Sequence, residues 1–272
     1  MLLKKIADIM TKNVIKVNKS ERLSYAIEIM EKNKVSRLIV VDDKDNIVGI
    51  LTEKDIMDRL GAARTRRLPP SRLSVSSVMS EDIYTITADT SILDAINLMV
   101  DKRIGTLPVV ENSKLIGLVT KSNIISLFKD YLEPTAKEIL DELVKKITPD
   151  YRLIAARQVM LEGDLEYLIV VLDDKPLGVI TEKDIARAYT RLRFNENIRH
   201  LGEILNRIYV RDILVPIKAI TIDTTLGKTI RLLLNKKLKA VPVVDNSGKL
   251  IGGISRSGII KAVAAGKIKL PE

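Results

Sequence analysis

Apolar residues recur along this chain in two alternating patterns. Leu23, Ala26, Ile27 and Met30 fall at i, i+3, i+4 and i+7, which lines one face of an α-helix. Ile92, Ala95, Ile96 and Met99 repeat that stripe, and Leu226, Ile230 and Leu233 keep most of it. Leu153, Ala156 and Met160 keep it too, with Arg157 standing where Ile27 and Ile96 do. Ser20, Asp89, Asp150 and Asp223 each lie three residues ahead of the first apolar position and are the expected N-caps. After each stripe comes a short apolar run of the strand type. Leu38–Val41 is continuous and β-branched, the polar turn 42–46 follows, and 47–51 is apolar again, which predicts a hairpin with one buried face. Asn112-Ser113, Asp173-Asp174-Lys175-Pro176 and Asn246-Ser247-Gly248 supply turn chemistry at the matching places downstream.

The pattern therefore occurs four times. The strand pairs read RLIVVDDKDNIVGILTEKDI from Arg37, TLPVVENSKLIGLVTKSNII from Thr106, YLIVVLDDKPLGVITEKDIA from Tyr167 and AVPVVDNSGKLIGGISRSGII from Ala240. Gly49, Gly117, Gly178 and Gly252 anchor them at uneven intervals of 68, 61 and 74 residues, which fits small subdomains better than a tight solenoid. The expected unit is strand–helix–strand–strand–helix, an α/β (α+β) fold. One unit of about 60 residues buries too little surface to stand alone, whereas two make a domain. The pairing expected is residues 1–131 (repeats at about 1–62 and 73–131) and 132–272 (about 137–192 and 205–272). The boundary falls at Glu133-Pro134-Thr135, because proline disfavours helix before it. Longer connections at 61–76 and 190–208 lie inside each pair.

Composition narrows the chemistry. Hydrophobic residues make up 46% of the 272, enough for a sizeable core, and charged residues 29%, enough for a solvated surface. The net charge of +10 attracts anions without choosing among nucleotide, nucleic acid and acidic lipid. Absence of cysteine excludes disulfides and thiolate metal sites, and a single histidine, His200, excludes a histidine metal cluster. No catalytic residue and no metal site is expected. Sparse Cys and Gln beside abundant Lys, Arg, Glu and Ile is the composition of a thermophile. No stretch approaches the roughly 18 apolar residues of a membrane span, so a cytoplasmic protein is expected.

The run Val-Gly-Ile-Leu-Thr-Glu-Lys-Asp-Ile at 48–56, with Ile-Met-Thr at 9–11, resembles a CBS (cystathionine β-synthase) domain. Val78-Met79-Ser80 with Leu107-Pro108-Val109-Val110, and Ile213-Leu214-Val215-Pro216 with Val241-Pro242-Val243-Val244, carry the resemblance into the second and fourth repeats. The third lacks a clear Met-Thr opening. The resemblance implies two Bateman modules forming a disc, with clefts that take AMP, ADP, ATP or S-adenosylmethionine as ligands rather than required cofactors. It also implies a regulatory role, with the bound state read by an unidentified protein partner. A single chain could complete the disc, or two chains could form a homodimer.

Thr-x-x-Asp at Thr52–Asp55 and Thr181–Asp184 is the most informative motif. Read from the residues, it is a capping box at a helix start. Read from the resemblance, the Asp grips the ribose hydroxyls, since one carboxylate can accept both O–H groups. Thr120 and Asn123 form a weaker version, and Ser255 with Gly258 lacks the acid. The same resemblance makes Arg37 a phosphate contact, the alternative being a solvent-facing strand-edge residue. Lys54 and Lys183 lie near helix N-termini, natural anion sites, or are ordinary surface lysines. Ile15 and Ser36 are the candidates for the adenine pocket.

A second reading starts from arginine. Arg59, Arg64, Arg66, Arg67 and Arg72 follow the first Thr-x-x-Asp helix, and Arg187, Arg191, Arg193, Arg199 and Arg207 follow the third. They could build one basic face that binds nucleic acid non-specifically, chiefly through Arg64, Arg66, Arg67, Arg191 and Arg193. Two Phe and no Trp leave few stacking platforms for single strands.

Overall fold

The computed structural model describes residues 5–62, 68–193 and 201–271. The first repeat holds α1 (Ile6–Ile9), β1 (Lys16–Asn18), α2 (Leu23–Lys32), β2 (Arg37–Val41), β3 (Ile47–Thr52) and α3 (Glu53–Gly61). The second holds α4 (Ile92–Asp101), β4 (Thr106–Glu111), β5 (Lys114–Thr120) and α5 (Lys121–Ile125). The third holds β6 (Lys146–Ile147), α6 (Leu153–Glu162), β7 (Tyr167–Leu172), β8 (Lys175–Thr181) and α7 (Glu182–Arg193). Then α8 (Leu201–Asn206) leads to β9 (Ile220–Thr221), α9 (Leu226–Asn235), β10 (Ala240–Val244), β11 (Leu250–Ser255) and α10 (Arg256–Ala264).

The expected unit is present. In the first, third and fourth repeats a leading strand pairs parallel to the first hairpin strand. In the second repeat that strand shrinks to one bridge between Ile86 and Val109. Each hairpin shifts register at the same place, after Val40, Val109, Val170 and Val243. Asn112-Ser113 and Asp173-Asp174 take the paired positive φ values of a two-residue hairpin turn.

The expected N-caps are displaced. The first apolar residue of each stripe is already helical, so the cap lies immediately before it. Ser91 accepts from Asp94 N at 3.0 Å, Thr225 accepts from Lys228 N at 3.4 Å, and Arg22 and Arg152 stand at the other two caps without a side-chain bond. Ser20 instead belongs to the preceding turn, its amide donating to Asn18 Oδ1 at 2.9 Å.

The four anchoring glycines have one shared cause. A β-carbon at Gly49 would stand 2.6 Å from Met79 Sδ, and one at Gly117 would stand 2.6 Å from Met10 Sδ. At Gly178 it would meet Val215 O at 2.7 Å, and at Gly252 Asp141 O at 2.5 Å. Each glycine thus admits the opening segment of another repeat, where it bridges the strand: Ile50 with Ser80, Thr11 with Leu118, Gly178 with Pro216, and Asp141 with Gly253. The first and second repeats exchange openings, as do the third and fourth. Leu140-Asp141 is the opening of the third repeat, which no Met-Thr pair marks in the sequence.

The cores run across this exchange. One apolar cluster joins the first repeat (Leu23, Met30, Leu38, Leu60) to the third (Leu153, Met160, Leu168, Tyr189). Another joins the second (Ile96, Val119, Phe128) to the fourth (Ile230, Ile254, Ile260). Helices α3 and α7 pack together in the first cluster, and α10 packs on α4 and α5 in the second. Exchange in one direction and core sharing in the other stitch all four repeats into one body.

Candidate functional site

The helices α3, α5, α7 and α10 each begin immediately after a strand, on a Thr or Ser whose side chain must satisfy orphan backbone N–H groups. Asp55 Oδ2 accepts from Thr52 N at 2.7 Å and from Thr52 Oγ1 at 2.6 Å, while Thr52 Oγ1 accepts from Asp55 N at 3.3 Å. Asp184 Oδ2 accepts from Thr181 N at 2.9 Å and Oγ1 at 2.6 Å. Asn123 Oδ1 does the same for Thr120, at 2.9 and 2.6 Å. Ser255 Oγ accepts from Gly258 N at 2.9 Å. The capping geometry is therefore present in all four repeats.

The second oxygen distinguishes the two Asp residues. Asp55 Oδ1 accepts from Ser80 Oγ at 2.8 Å, a hydroxyl delivered by the exchanged opening. Asp184 Oδ1 accepts no protein hydrogen bond among the described residues. Asn123 spends its amide on Ile9 O at 2.9 Å and Thr11 Oγ1 at 3.3 Å. Ser80 and Thr11 therefore join these sites, although the sequence singled them out only as repeat openings.

The first turns of the four helices converge with the strand starts on a charged centre. Arg37 points inward and is part-buried, not solvent-facing: its Nη1 donates to Gly105 O at 2.9 Å, and its Nε and Nη2 reach Ser36 Oγ at 3.4 Å. Burial lowers its pKa against the opposing pull of Glu53, Glu166 and Glu182. Lys121 Nζ donates to Glu166 Oε1 and to Ser257 Oγ, both at 2.7 Å, and Ser257 Oγ donates to Glu166 Oε2 at 2.6 Å. Burial by itself would raise Glu166, but Lys121, Lys239 and these hydrogen bonds hold it at about 2. Lys239 forms an ion pair with Glu182, and burial opposes the upward shift that Glu182, Glu53 and Glu166 give it. Arg256 donates to Ser122 Oγ at 2.6 Å. All four repeats contribute to this lattice. The sequence does carry a signal for it: Glu53, Lys121, Glu182 and Arg256 occupy one aligned position and alternate in sign.

The remaining candidates separate. Lys54 is not available for an anion at the α3 N-terminus, because it forms an ion pair with Asp164 of the third repeat. Lys183 faces an inter-helix cleft rather than the caps. Ile15 is a strand neighbour whose carbonyl accepts from Ile39 N at 3.3 Å, and its side chain packs against the core of the first and third repeats. Ser36 stands at the charged centre, its carbonyl accepting from Glu53 N at 3.2 Å.

The arginine face is corrected at one position. Arg193 is only 2% exposed. Its guanidinium donates to Leu68 O at 3.1 Å and to Leu60 O, carbonyls at and beyond the C-terminal end of α3. A cation buried there satisfies unpaired carbonyls and the helix dipole, and cannot reach a phosphate backbone. Arg72, Arg187, Arg191 and Arg207 are exposed. Arg64, Arg66, Arg67, Arg199 and His200 lie outside the described residues. No helix among the described residues is long and apolar enough to cross a membrane.

Comparison with known proteins agrees with this architecture. The uncharacterized protein MJ1404 of Methanocaldococcus jannaschii is 32% identical over 167 residues, which cover 58% of this chain and 39% of that protein. The chain thus spans about two-fifths of that relative's length. The uncharacterized protein MJ1225 of the same organism is 25% identical over 276 residues, covering 93% of this chain and 96% of the relative. The crystal structure of MJ1225, described as a suggested archaeal homologue of γ-AMPK, matches with a TM-score of 0.85 at 23% identity, over 96% of this chain and 100% of that one. That likeness is one of fold. A family model for the CBS domain matches residues 6–62, 75–130, 136–191 and 210–265, so the chain belongs to the CBS-domain family.

Proposed function

We propose that this protein is a non-catalytic sensor of adenosine-containing ligands, with residues 1–131 and 132–272 as its two modules. AMP, ADP, ATP and S-adenosylmethionine are the ligands to test. Asp184 and Asp55 take the ribose hydroxyls, with Thr181 and Thr52 holding each carboxylate in place. The observation that carries the reading is Asp184: its capping bonds use one oxygen, leaving the other without a protein partner among the described residues. At Asp55 the ribose would displace the Ser80 hydroxyl, one neutral hydrogen bond for another. Membership of the CBS family supports the reading, and so does the γ-AMPK likeness ascribed to MJ1225. Arg37 sits among acids at the centre, so a phosphate arriving there would compete with Glu53, Glu166 and Glu182 for it. A partner protein would read the relative placement of the modules, and the coupling cannot exceed the ligand's differential affinity for the two placements.

The test is thermal unfolding of the wild type and of the Asp55→Ala/Asp184→Ala protein with each ligand. A ligand at a hundredfold its Kd adds about 2.7 kcal/mol per site. That corresponds to a rise in Tm of roughly 5–10 °C for a chain of this size. A rise in the wild type that is lost in the variant is the expected result. A rise that survives in the variant, or no rise with any of the four compounds, would reject the ribose assignment.

A further inference from the structure

The helices of the first and third repeats meet in a pseudo-two-fold arrangement whose two halves are not alike. Position by position, α2 corresponds to α6 and α3 to α7. In the closed half, α6 packs on α3. Arg157 crosses to donate to Met57 O at 3.1 Å, Asp58 O at 2.8 Å and Asp58 Oδ1 at 2.6 Å. Gly61 makes its passage possible, since a β-carbon there would overlap the Arg157 side chain. Asp164, at the positive-φ turn after α6, pairs with Lys54 in the first turn of α3.

In the other half Lys54 keeps its counterpart in Lys183, but the other partners are changed. Ile27 stands where Arg157 does, Thr190 where Gly61 does and Ala186 where Met57 does. Arg187 replaces Asp58, and Lys34, at the same positive-φ turn, replaces Asp164. Both acids of the closed half have become cations. The half does not close: a cleft of about 330 Å³ remains between α2, α3 and α7. Its floor is apolar, with Ile27, Met30, Ile56 and Ala186. Lys34, Lys183, Arg187 and Lys237 stand around it, and among the described residues none of the four makes an ion pair. Two acids line the cleft as well: Glu31, which is exposed at its edge, and Glu53, which is 9% exposed and whose Oε2 has no hydrogen-bond partner among the described residues.

We propose that this inter-module cleft binds a small organic phosphate, which completes the interface as Arg157, Asp58 and Asp164 complete the other half. The apolar floor takes the body of the ligand. The converging lysines and Arg187 take a dianion that offers several oxygens, where a lone carboxylate would satisfy fewer of them. The unpartnered Glu53 oxygen accepts from a hydroxyl or N–H on the body. The cleft shares Glu53 and Lys183 with the two Thr-x-x-Asp turns but not Asp55 or Asp184, and it stands whether or not those carboxylates hold a ribose. Because it joins α2 of one module to α7 of the other, its occupancy would favour the closed placement of the modules.

The probe is 1-naphthyl phosphate, whose fluorescence is unobscured because the chain has no Trp. Saturable binding to the wild type is expected, with no saturable binding of 1-naphthol. Lys34→Asp and Arg187→Asp restore the acids of the closed half, so each should weaken binding by about tenfold or more. Both residues are exposed and Asp already occupies the equivalent turn at Asp164, so both variants should fold. Asp55→Ala/Asp184→Ala should bind the probe like the wild type. No saturable binding to the wild type, equal binding of 1-naphthol, or unchanged affinity in both charge variants would overturn the proposal. Loss of binding in the Asp55→Ala/Asp184→Ala protein would move the probe to the caps and overturn it equally.

Discussion

The half of the molecule built from the second and fourth repeats is sealed by hydrocarbon, whereas the half built from the first and third adds buried charge to an apolar core of its own. In the former, Ile96, Ile124, Phe128, Ile260 and Val263 fill the junction of α4, α5 and α10. In the latter, Arg157, Arg193, Glu53 and Glu182 are buried beside the apolar stripe. The same division separates the caps. The hydrocarbon half has Asn123 and Gly258 at the fourth cap position, and the charged half has Asp55 and Asp184. Apolar packing is non-directional and favours a single closed state. Buried charge contributes less net stability but depends on every partner being present. The charged half is therefore the one whose closure a ligand can complete or a substitution can undo.

The comparison breaks most visibly at Arg157. Arg157→Ile gives α6 the residue that α2 already has and removes three hydrogen bonds, one of them to the Asp58 carboxylate. The expected loss is about 2 kcal/mol in urea-induced unfolding. Gly61→Ala alone should cost about 1–3 kcal/mol by overpacking against Arg157. In the Arg157→Ile background the same change should be neutral or favourable by up to about 1 kcal/mol, the ordinary helix preference for Ala over Gly. A double-mutant cycle reads the coupling directly, and additive losses would mean that Arg157 does not occupy the space beside Gly61.

Acid should act at the place where the two halves touch. Glu166 of the third repeat is held by Lys121 of the second and Ser257 of the fourth. Its pKa in the folded protein, about 2, lies below the ordinary 4.5. Its contribution to stability is therefore complete above about pH 4.5 and is lost as pH falls towards about 2. Partial exposure screens the interaction, so the loss over that window is about 1–2 kcal/mol. Glu166→Gln should flatten that part of the pH–stability curve; an unchanged curve would show that the lattice is not what acid dissolves.

Much of this was legible in the chain itself. Helix stripes, hairpins, their turns and the four glycines follow from period and turn chemistry, which are local properties. The caps of the apolar-stripe helices were read two residues early, because Ser20 and Asp89 are strong turn formers standing just outside Arg22 and Ser91. Arg157 was visible as an exception to the stripe, but its partners are about a hundred residues away on α3, and no periodicity reports them. The third opening was missed because Leu140-Asp141 carries no Met-Thr signature; only its fit against Gly252 identifies it. Arg193 read as part of a basic run, and only its position at the α3 terminus reveals it as a buried cap. The cleft beside Lys34 was invisible for the same reason, since it exists only as a difference between two halves of one interface.

The smallest expected effect tests whether the caps of the two halves differ in kind or only in strength. Gly258→Asp would give the fourth repeat the acid that Asp55 and Asp184 supply in the charged half. A β-carbon at this position meets only Ser255 Oγ, at 3.3 Å, a contact that a small shift of the hydroxyl relieves, and the carboxylate it carries is spaced to close a capping box on Ser255. The gain expected is about 0.5–1 kcal/mol. If capping were the sole use of the acid, that gain would be the whole consequence. A ribose site also needs an oxygen left over after capping and an open approach to it. Here the crossing segment offers Asp141, whose carbonyl packs against Gly252 and whose own carboxylate already accepts from Leu143 N at 3.1 Å. A second carboxylate beside Asp141 would be repelled rather than offered to a diol. Gly258→Asp should therefore stabilise the fold without adding an adenosine site, which titration of the four ligands against the variant would measure. An added site would show that the acid alone confers binding, and that the two halves differ in strength rather than in kind.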